Sequence, residues 1–322
     1  MKTAVILINK ISETPLEDEL DVLVQASEVE AALSELSYRC ERVFMDLNLE
    51  NTKNSILDIS PDLVFNLVET IDKRGDLIYL SPALLGSMHI PYTGCRLDGM
   101  FLTSNKILTK QLLALKNIRT PEWHESTNEF DLNPSKTYIA KPLWEDASVG
   151  INDSSVFKGD DAGILVDLRK KWDKGFFVEE FINGREFNLS VLGGADGPEV
   201  MPLAEIVFND FPEGKPKIVG YAAKWDQDTF EYKNTIRSFD MSDIPVKLQE
   251  ELREMALQCW NIFNLKGYVR VDFRVDQNNK PYVLEINANP CISSDAGFFA
   301  ACSHAKISFT EVIKRIIYDA HL

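Results

Sequence analysis

The sequence predicts a mixed α/β fold built from three consecutive regions. Near the N-terminus a buried-strand pattern is followed by an amphipathic helix and two more strands, and near residue 270 two alternating strands flank a short turn. A length of 322 residues is typical of two or three domains, and no repeat, low-complexity stretch or long linker interrupts the chain. We therefore expect one compact molecule divided into residues 1–100, 101–185 and 186–322.

The first region has the pattern of a small α/β unit around a parallel sheet. The apolar run Lys2–Ile8 is typical of a buried strand, and the periodicity of Gln25–Leu36 indicates a helix. Further strands are expected at Glu41–Met45 and Asp62–Val68. The segment after the first strand lacks a G-x-G-x-x-G motif, so nothing here indicates a dinucleotide site.

The second and third regions contain a mixture of helices and strands. In the second we expect a helix at Ser104–Lys116 and a strand at Phe176–Phe181. The elements predicted in the third region are strands at Glu186–Leu192 and Met201–Val207, a helix near Pro245–Phe263, a strand pair within Gly267–Asn287, and a terminal helix that starts with a Ser308-x-x-Glu311 capping box.

Composition and charge narrow the class of protein. The 34 Lys and Arg residues against 50 Asp and Glu residues give a net charge of −16, which argues against a general nucleic-acid binder or a polybasic membrane protein. The longest apolar runs fall far short of the roughly 18–20 residues that span a bilayer, and no signal-peptide pattern is visible. Five scattered cysteines without a C-x-x-C pair indicate reduced thiols, so we expect a cytoplasmic protein.

The strand pair at 268–287 is the sharpest local signal in the sequence. Asn278-Asn279 suits the centre of a two-residue hairpin loop, and this loop places Asp272 opposite Glu285. Simple alternation along the second strand puts Val283 on the same face as Glu285. A single slipped residue would move every side chain of that strand to the other face.

The pairing predicts a metal site. The same register places Arg270 opposite Asn287, so Asn287 lies beside the Asp272–Glu285 pair. Like charges directly opposite each other are unfavourable unless a cation lies between them, and two carboxylates with an amide oxygen suit Mg²⁺. A solvated charged face is the competing interpretation, and Arg270 could simply neutralise Asp272 on its own strand face.

With this hairpin, the sequence resembles the ATP-grasp superfamily, and within it the D-alanine–D-alanine ligase-like enzymes. The matching stretches, in family order, are IPYTG (90–94), SNKILTK (104–110), IAKPLWEDASVGI (139–151), VEEFINGREF (178–187), YAAKW (221–225), YVRVDF (268–273) and LEINANP (284–290). The resemblance implies a three-domain ATP-grasp fold with an N-terminal Rossmann-like pre-ATP-grasp domain and with ATP between the second and third domains. It also implies a homodimer through the first domain.

The resemblance further implies roles for individual residues. ATP would be bound by Lys106 and Lys141 at the phosphates, by the hinge Glu179, Glu180, Phe181 and Ile182 at adenine, and by Glu186 at the ribose. Magnesium, with Mn²⁺ as an alternative ion, would be bound by Asp272, Glu285 and Asn287. Catalysis would involve Arg270 and Lys224 near the transferred phosphoryl group and Ser148 at the tip of a loop, 145–151, that with segment 225–237 would form a lid.

Departures from the family pattern concern the substrate end. Segment 9–19 has no glycine, and Asp18 or Glu19 could replace the acid that binds the first substrate's amine; Glu69 matches another acidic residue of the family. The family tyrosine is Trp225, the glycine–serine–serine loop is Asp146-Ala147-Ser148, and the serine–leucine pair that holds the second substrate's carboxylate is Ala296-Gly297. The ATP side is therefore retained, whereas the amino-acid side has changed.

These observations predict an ATP-dependent carboxylate–amine ligase that acts on an amino acid or related metabolite through an acyl phosphate. Small-molecule carboxylates and amines are the expected partners, with neither nucleic acid nor membrane. D-alanine–D-alanine ligation is kept as the alternative. A site that has lost the hydrogen-bond donors for a substrate's carboxylate should discriminate against that substrate, which here is D-alanine. A bicarbonate-activating enzyme and a non-catalytic ATP-binding module remain competing classes.

Overall fold

The computed structural model describes residues 1–15, 17–125, 132–144, 148–161, 163–172 and 175–320, and of Glu17, Asp18, Arg169 and Lys171 the backbone alone. Its helices are α1 (Glu17–Glu35), α2 (Leu49–Ile59), α3 (Leu80–Ser87), α4 (Leu97–Ser104), α5 (Lys106–Leu115), α6 (Gly163–Lys171), α7 (Tyr221–Trp225), α8 (Phe230–Asn234), α9 (Val246–Ile262), α10 (Gly297–His304) and α11 (Phe309–Ala320). Its strands are β1 (Lys2–Asn9), β2 (Tyr38–Met45), β3 (Leu63–Asn66), β4 (Trp123–Glu125), β5 (Thr137–Pro142), β6 (Val156–Lys158), β7 (Phe176–Glu180), β8 (Arg185–Leu192), β9 (Glu199–Val200), β10 (Ala204–Phe208), β11 (Thr235–Ser238), β12 (Tyr268–Val275) and β13 (Pro281–Asn287).

The first sheet has the order β2-β1-β3 and is parallel, which confirms the predicted parallel unit. The central strand β1 is buried on both faces, as expected for a parallel strand covered by helices. Ile6 and Ile8 pack into a core with α1, α10 and α11, whereas Val5 and Leu7 pack into a second core with α2 and α3. The α1–α11 contact ties this sheet to the C-terminal end of the chain.

Two antiparallel sheets form the rest of the molecule. The four-stranded sheet has the order β4-β7-β5-β6, and the larger sheet has the order β11-β10-β8-β12-β13 with β9 paired to β8. The long helix α9 packs on the larger sheet and buries Leu252, Cys259 and Phe263 in the largest apolar core. The mixed α/β architecture is thus confirmed, and the three domain boundaries stay a prediction.

The structure corrects several predicted elements. Helix α1 begins at Glu17, eight residues before the predicted start, and the helix α2 between β2 and β3 was not predicted at all. Segment 225–237, which was predicted only as part of a lid, contains α8 and the first residues of the edge strand β11. At α11, the Ser308 hydroxyl accepts from the Glu311 N–H at 3.3 Å, but the Glu311 carboxylate pairs with Lys314, so only half of the capping box forms.

The hairpin β12–β13 has the predicted pairs but a different turn. Asp272 faces Glu285 and Arg270 faces Asn287, as predicted, whereas Val275 pairs with Pro281. The loop therefore has three residues, 277–279, with Asn279 in the left-handed region (φ 57°). A bulge between the two sets of pairs restores the predicted register near the site.

The bulge also changes the faces of β13. Val283 is fully buried with Ile286 in the largest core, while the neighbours Leu284 and Glu285 both line a cleft. The predicted face sharing of Val283 and Glu285 is therefore wrong, because simple alternation fails at a bulge. Within the described part of the chain, no helix combines the length and apolar character that crossing a membrane requires.

Candidate active site

One cleft, with a volume of about 790 Å³, collects the predicted site residues. It lies where the four-stranded sheet, the larger sheet and the C-terminal ends of β1 and β3 approach one another, and side chains from all three line it. Every predicted site residue lines this cleft except Asp18, whose side chain lies outside the described residues. Residues that are far apart in sequence therefore meet in a single site.

At one end of the cleft two lysines and a carboxylate form a buried ion-pair triad. The Glu179 carboxylate on β7 lies 2.5 Å from Lys110 Nζ on α5 and 2.7 Å from Lys141 Nζ on β5. Glu179 and Lys110 are about 1% exposed, so water screens neither charge. Burial raises the pKa of Glu179, but the two ammonium groups outweigh it and hold that pKa below its usual value. Glu179 thus positions Lys141 with its side chain.

Lys106 lies at the first position of α5, where the chain enters the cleft. Asn105 caps this helix with its side-chain oxygen, which accepts from the Ile107 and Leu108 N–H groups at 3.1 and 3.0 Å. The Lys106 side chain is buried and lines the cleft with Lys141. Lys110 follows one helical turn later, so the i, i+4 spacing puts both lysines on one side of α5.

The hinge and the predicted ribose acid adjoin each other. Phe181 and Ile182 follow β7 and line the cleft, and Glu180 pairs with Lys136 at 2.8 Å near the protein surface. Glu186 on β8 is buried and is held at 2.8 Å by Arg274 on β12. Burial raises the pKa of Glu186, and the Arg274 guanidinium opposes that rise.

Arg274 was not predicted, yet it organises this end of the cleft. Its guanidinium donates to the carbonyl oxygens of Gly184, at 3.0 Å, and of Lys217. It also lies 5.6 Å from the ring centres of Phe181 and Phe208, a cation–π distance. The signal was available, since Arg270, Asp272 and Arg274 share one face of a single strand.

The candidate metal ligands meet as predicted. Asp272 accepts from Asn188 at 2.8 Å and from Asn287 at 3.2 Å, and Arg270 binds both of its carboxylate oxygens at 2.7 and 2.8 Å. The carboxylate of Glu285 faces Asp272 and has no hydrogen bond or ion pair to any described residue. No cluster of three or more His, Cys, Asp or Glu among the described residues is arranged to hold a metal, so a metal would depend on two carboxylates and the Asn287 amide oxygen.

Glu285 is where the cations of the cleft converge. Burial raises the pKa of this carboxyl group, but four cations around it outweigh burial and lower the pKa to about 2. These cations, in order of effect, are Lys106, Lys141, Lys224 and Arg270. The site therefore concentrates positive charge around the Asp272–Glu285 pair, which suits the binding of a polyphosphate.

The described part of the predicted lid loop, residues 148–151, is joined to segment 219–221, which lies just before the second predicted lid segment, 225–237. The Ser148 hydroxyl donates to the Val219 carbonyl at 2.7 Å, and the Tyr221 N–H donates to the Ile151 carbonyl at 3.1 Å. A Cβ on Gly220 would lie only 2.9 Å from that Ile151 oxygen, so glycine permits the close approach. Residues 145–147 of the predicted loop lie outside the described residues. Lys224, on α7, follows directly and lines the cleft.

At the substrate end Glu69, which the sequence indicated, lies with a second acid, Asp21, which it did not. Gln25 donates at 2.8 Å to Glu69 and at 2.9 Å to Asp21, so it holds the two carboxylates together. The Cys291 thiol donates to Asp21 at 2.9 Å. Burial raises the pKa of Asp21, and the bonds from Cys291 and Gln25 oppose that rise. Both Asp21 and Glu19 of α1 line the cleft. Asp21 is therefore a further candidate, beside Asp18 and Glu19, for the acid that binds the first substrate's amine.

Ala296 and Gly297 lie at the start of α10 and also line this cleft. Ala296 is the N-cap residue and has no side-chain oxygen to cap the helix. Gly297 lies beside the Arg237 guanidinium, which comes from the edge strand β11. Sequence reasoning missed Arg237, because a lone arginine in a polar segment carries no signal of its own.

Comparisons with known proteins agree with this fold. A family model described as the D-ala D-ala ligase C-terminus matches residues 112–318, more than half of the chain. The chain is 29% identical to a D-alanine–D-alanine ligase of Carboxydothermus hydrogenoformans, with 89% of each chain covered, and 27% identical to an uncharacterized protein of Sinorhizobium fredii, with 92% of this chain and 87% of the other covered.

The structure also superposes on a solved relative over its whole length. The crystal structure of the D-alanine–D-alanine ligase from Bacillus anthracis complexed with ATP gives a TM-score of 0.75 at 19% identity, and it covers 100% of this chain and 98% of that one. This likeness confirms the ATP-grasp fold. By the family model, the chain belongs to the D-ala D-ala ligase C-terminus family, whose members are ATP-dependent ligases that form C–N bonds.

Proposed function

We propose that this carboxylate–amine ligase joins two amino acids through an acyl-phosphate intermediate, with Mg²⁺-bound ATP as the phosphoryl donor. The observation that carries the proposal is the convergence of four cations on Glu285, directly opposite Asp272, in a cleft that also contains the hinge and the Glu186–Arg274 pair. Such an arrangement suits phosphoryl transfer, in which catalysis consists largely of positioning and charge neutralisation.

The residues divide the task by position. Lys106 and Lys141 bind phosphate oxygens of ATP, and Glu179 fixes the direction of the Lys141 ammonium group. Phe181 and Ile182 contact adenine, and Glu186 receives the ribose hydroxyl groups while Arg274 holds it in place. The nucleotide therefore lies with its phosphates toward Glu285 and the amino-acid end of the cleft.

The donor set of Asp272, Glu285 and Asn287 fits magnesium. All three offer oxygen atoms, and the Asn287 Nδ2 donates to Asp272, which leaves the amide oxygen for a cation. Magnesium, when bound there, neutralises charge on the ATP phosphates. Arg270 occupies both Asp272 oxygens in this structure, so it must release at least one of them when an ion binds.

The chemistry follows from these positions. One oxygen of the first substrate's carboxylate attacks the γ-phosphorus, and the bond to the β–γ bridging oxygen breaks, so ADP leaves. Lys224 and Arg270 offset the negative charge of the transferred group. The second substrate's amine then attacks the acyl carbon, phosphate leaves, and the amine loses a proton. The joined segments at Ser148 and Tyr221 exclude water from the acyl phosphate.

Isotope transfer tests this proposal directly. The purified protein is supplied with ATP, Mg²⁺ and pairs of D- and L-amino acids, and ADP, phosphate and conjugates are quantified by mass spectrometry. With an ¹⁸O-labelled carboxylate, the proposal requires one label atom in the released phosphate for each amide formed. Unlabelled phosphate with amide formation contradicts the acyl phosphate. ADP release that depends on bicarbonate without an amine, or no turnover of any pair, contradicts the function.

A second candidate is D-alanine–D-alanine ligation, which the names of the relatives favour. The same panel decides between them, because D-alanyl-D-alanine as the main product identifies this activity. A homodimer through the first region stays a further prediction, and the sedimentation of the intact protein measures its oligomeric state.

A further inference from the structure

Among the described arginines that line the cleft, Arg237 is the one whose guanidinium has no hydrogen bond or ion pair to another described residue. Of the other arginines there, Arg270 binds Asp272 and Arg274 binds Glu186. The strand of Arg237 places it opposite Ile206 of β10, which lines the cleft as well. The five N–H donors of the Arg237 guanidinium, in a fixed planar geometry, are therefore available to a ligand in the cleft.

The Arg237 guanidinium lies against Gly297. A Cβ built on Gly297 would lie 3.4 Å from Arg237 Nη2 and 3.7 Å from Cζ, which is ordinary van der Waals contact, so a side chain longer than alanine there would meet the guanidinium. Because Ala296 is also small and cannot cap α10, the guanidinium lies over a helix start without a side-chain hydroxyl. The guanidinium of Arg237 thus occupies the space that larger side chains at positions 296 and 297 would fill.

The charges around Arg237 favour an anion beside it. Desolvation and the neighbouring Arg270 lower the pKa of Arg237, and Asp295 opposes them without reaching ion-pair distance among the described groups. A guanidinium stays charged in such a setting. Two guanidinium groups that face the same cleft repel each other, and a carboxylate bound between them removes that repulsion.

We propose that Arg237 determines substrate specificity by binding the carboxylate of the amine substrate. The inference rests on the proposed function and adds the chemical class of the acceptor, which is an amino acid or peptide with a free carboxylate. Arginine matches a carboxylate with two parallel hydrogen bonds, so it replaces donors that Ala296 and Gly297 do not supply. An amine without that carboxylate is a poorer acceptor, because it cannot form these two charged hydrogen bonds.

The test compares Arg237→Gln and Arg237→Lys with the unaltered protein. The acceptor is the amino acid that supports the fastest ADP release in the panel of D- and L-amino acids, and its carboxamide is the matched analogue. Arg237→Gln raises the KM for the acceptor by about 10- to 100-fold, the loss expected for charged hydrogen bonds, while the KM for ATP changes less than twofold. Arg237→Gln also removes most of the preference for the acceptor with a free carboxylate over its carboxamide analogue. Arg237→Lys retains part of that preference.

Two further variants separate a specific role from a structural one. Gly297→Leu leaves Arg237 in the chain but fills its space, so it too raises the acceptor KM. Lys233→Gln removes a cation from the same segment that does not line the cleft, and it leaves both KM values unchanged. An unchanged acceptor KM in Arg237→Gln, or an equal rise in the KM for ATP, overturns the inference. If the unaltered protein turns over no pair, the proposed function falls and the inference falls with it.

Discussion

Asp272 and Glu285 face each other across the β12–β13 pair, yet only Asp272 is hydrogen-bonded to the described residues around it. Two carboxylates in this relationship repel each other, and the cations around them offset that repulsion. Burial raises the pKa of Asp272, whereas the surrounding cations bring that of Glu285 down to about 2. The pair therefore has one carboxylate held by protein donors and one exposed to an incoming cation.

The first prediction concerns this pair. Asp272→Asn and Glu285→Gln each lower kcat for ADP release by at least about 100-fold, because each removes a carboxylate from the proposed Mg²⁺ site. The thermal unfolding temperature also falls, because Asp272→Asn leaves Arg270 without its counter-ion and Glu285→Gln removes a carboxylate that the surrounding cations stabilise. Steady-state kinetics and calorimetry measure the two effects. Glu250→Gln, an exposed carboxylate on α9, is the control, and near-normal turnover in either cleft variant contradicts the metal assignment.

The second prediction concerns the buried triad. Glu179→Gln leaves Lys110 and Lys141 without their counter-ion in a site that is about 1% exposed at Lys110. We expect the free energy of unfolding in urea to fall by about 3–5 kcal/mol, because an uncompensated charge stays buried. Glu180→Gln is a matched control from the next residue, whose ion pair with Lys136 is about one-third exposed. We expect the free energy of unfolding of Glu180→Gln to fall by at most about 1 kcal/mol. Equal effects of the two variants contradict the role of burial.

In the β12–β13 hairpin the strand pairing could be predicted from the sequence, whereas the turn and the bulge could not. The opposition of Asp272 and Glu285 followed from residue types and spacing, although the predicted two-residue turn is a three-residue one. The error did not reach the site because the bulge at Leu284 compensates for the extra turn residue. Periodicity cannot reveal a bulge, since a bulge is by definition a break in the period.

Other features were invisible for a different reason. Lys110 looks like any surface lysine in a helix, and only the meeting of α5 with β7 shows that it pairs with Glu179. The helix α2 is a different case, because its apolar face and its Asn48 N-cap are visible in the sequence although no helix was predicted there. Partners that are brought together by tertiary packing leave no local pattern in the sequence.

The third prediction concerns pH. Desolvation and Arg270 lower the pKa of Lys224, while Glu285, Asp272 and Glu186 oppose that shift, and the net result lies below the usual 10.5. Lys224 therefore loses its proton at a lower pH than an ordinary lysine, and kcat declines as the pH rises through this lowered pKa. Lys224→Arg keeps the charge to a higher pH, so its alkaline limb moves upward. Coincident pH–rate profiles for the two proteins, measured with the same substrates, contradict a catalytic charge on Lys224.

The fourth prediction concerns the hydrogen bond that joins the predicted lid loop at Ser148 to segment 219–221. Ser148→Ala removes the 2.7 Å bond from the Ser148 hydroxyl to the Val219 carbonyl but keeps the Tyr221–Ile151 bond. A hydrogen bond contributes about 0.5–1.5 kcal/mol, so the population of the joined state falls by about 2- to 10-fold relative to the open one. Water then reaches the acyl phosphate more often, and the yield of amide per ADP decreases while ADP release continues. Parallel assays of ADP and amide measure this ratio. Ser154→Ala, whose hydroxyl bonds only within its own turn, should leave the ratio unchanged, and equal ratios in Ser148→Ala and the unaltered protein contradict the role of this bond in excluding water.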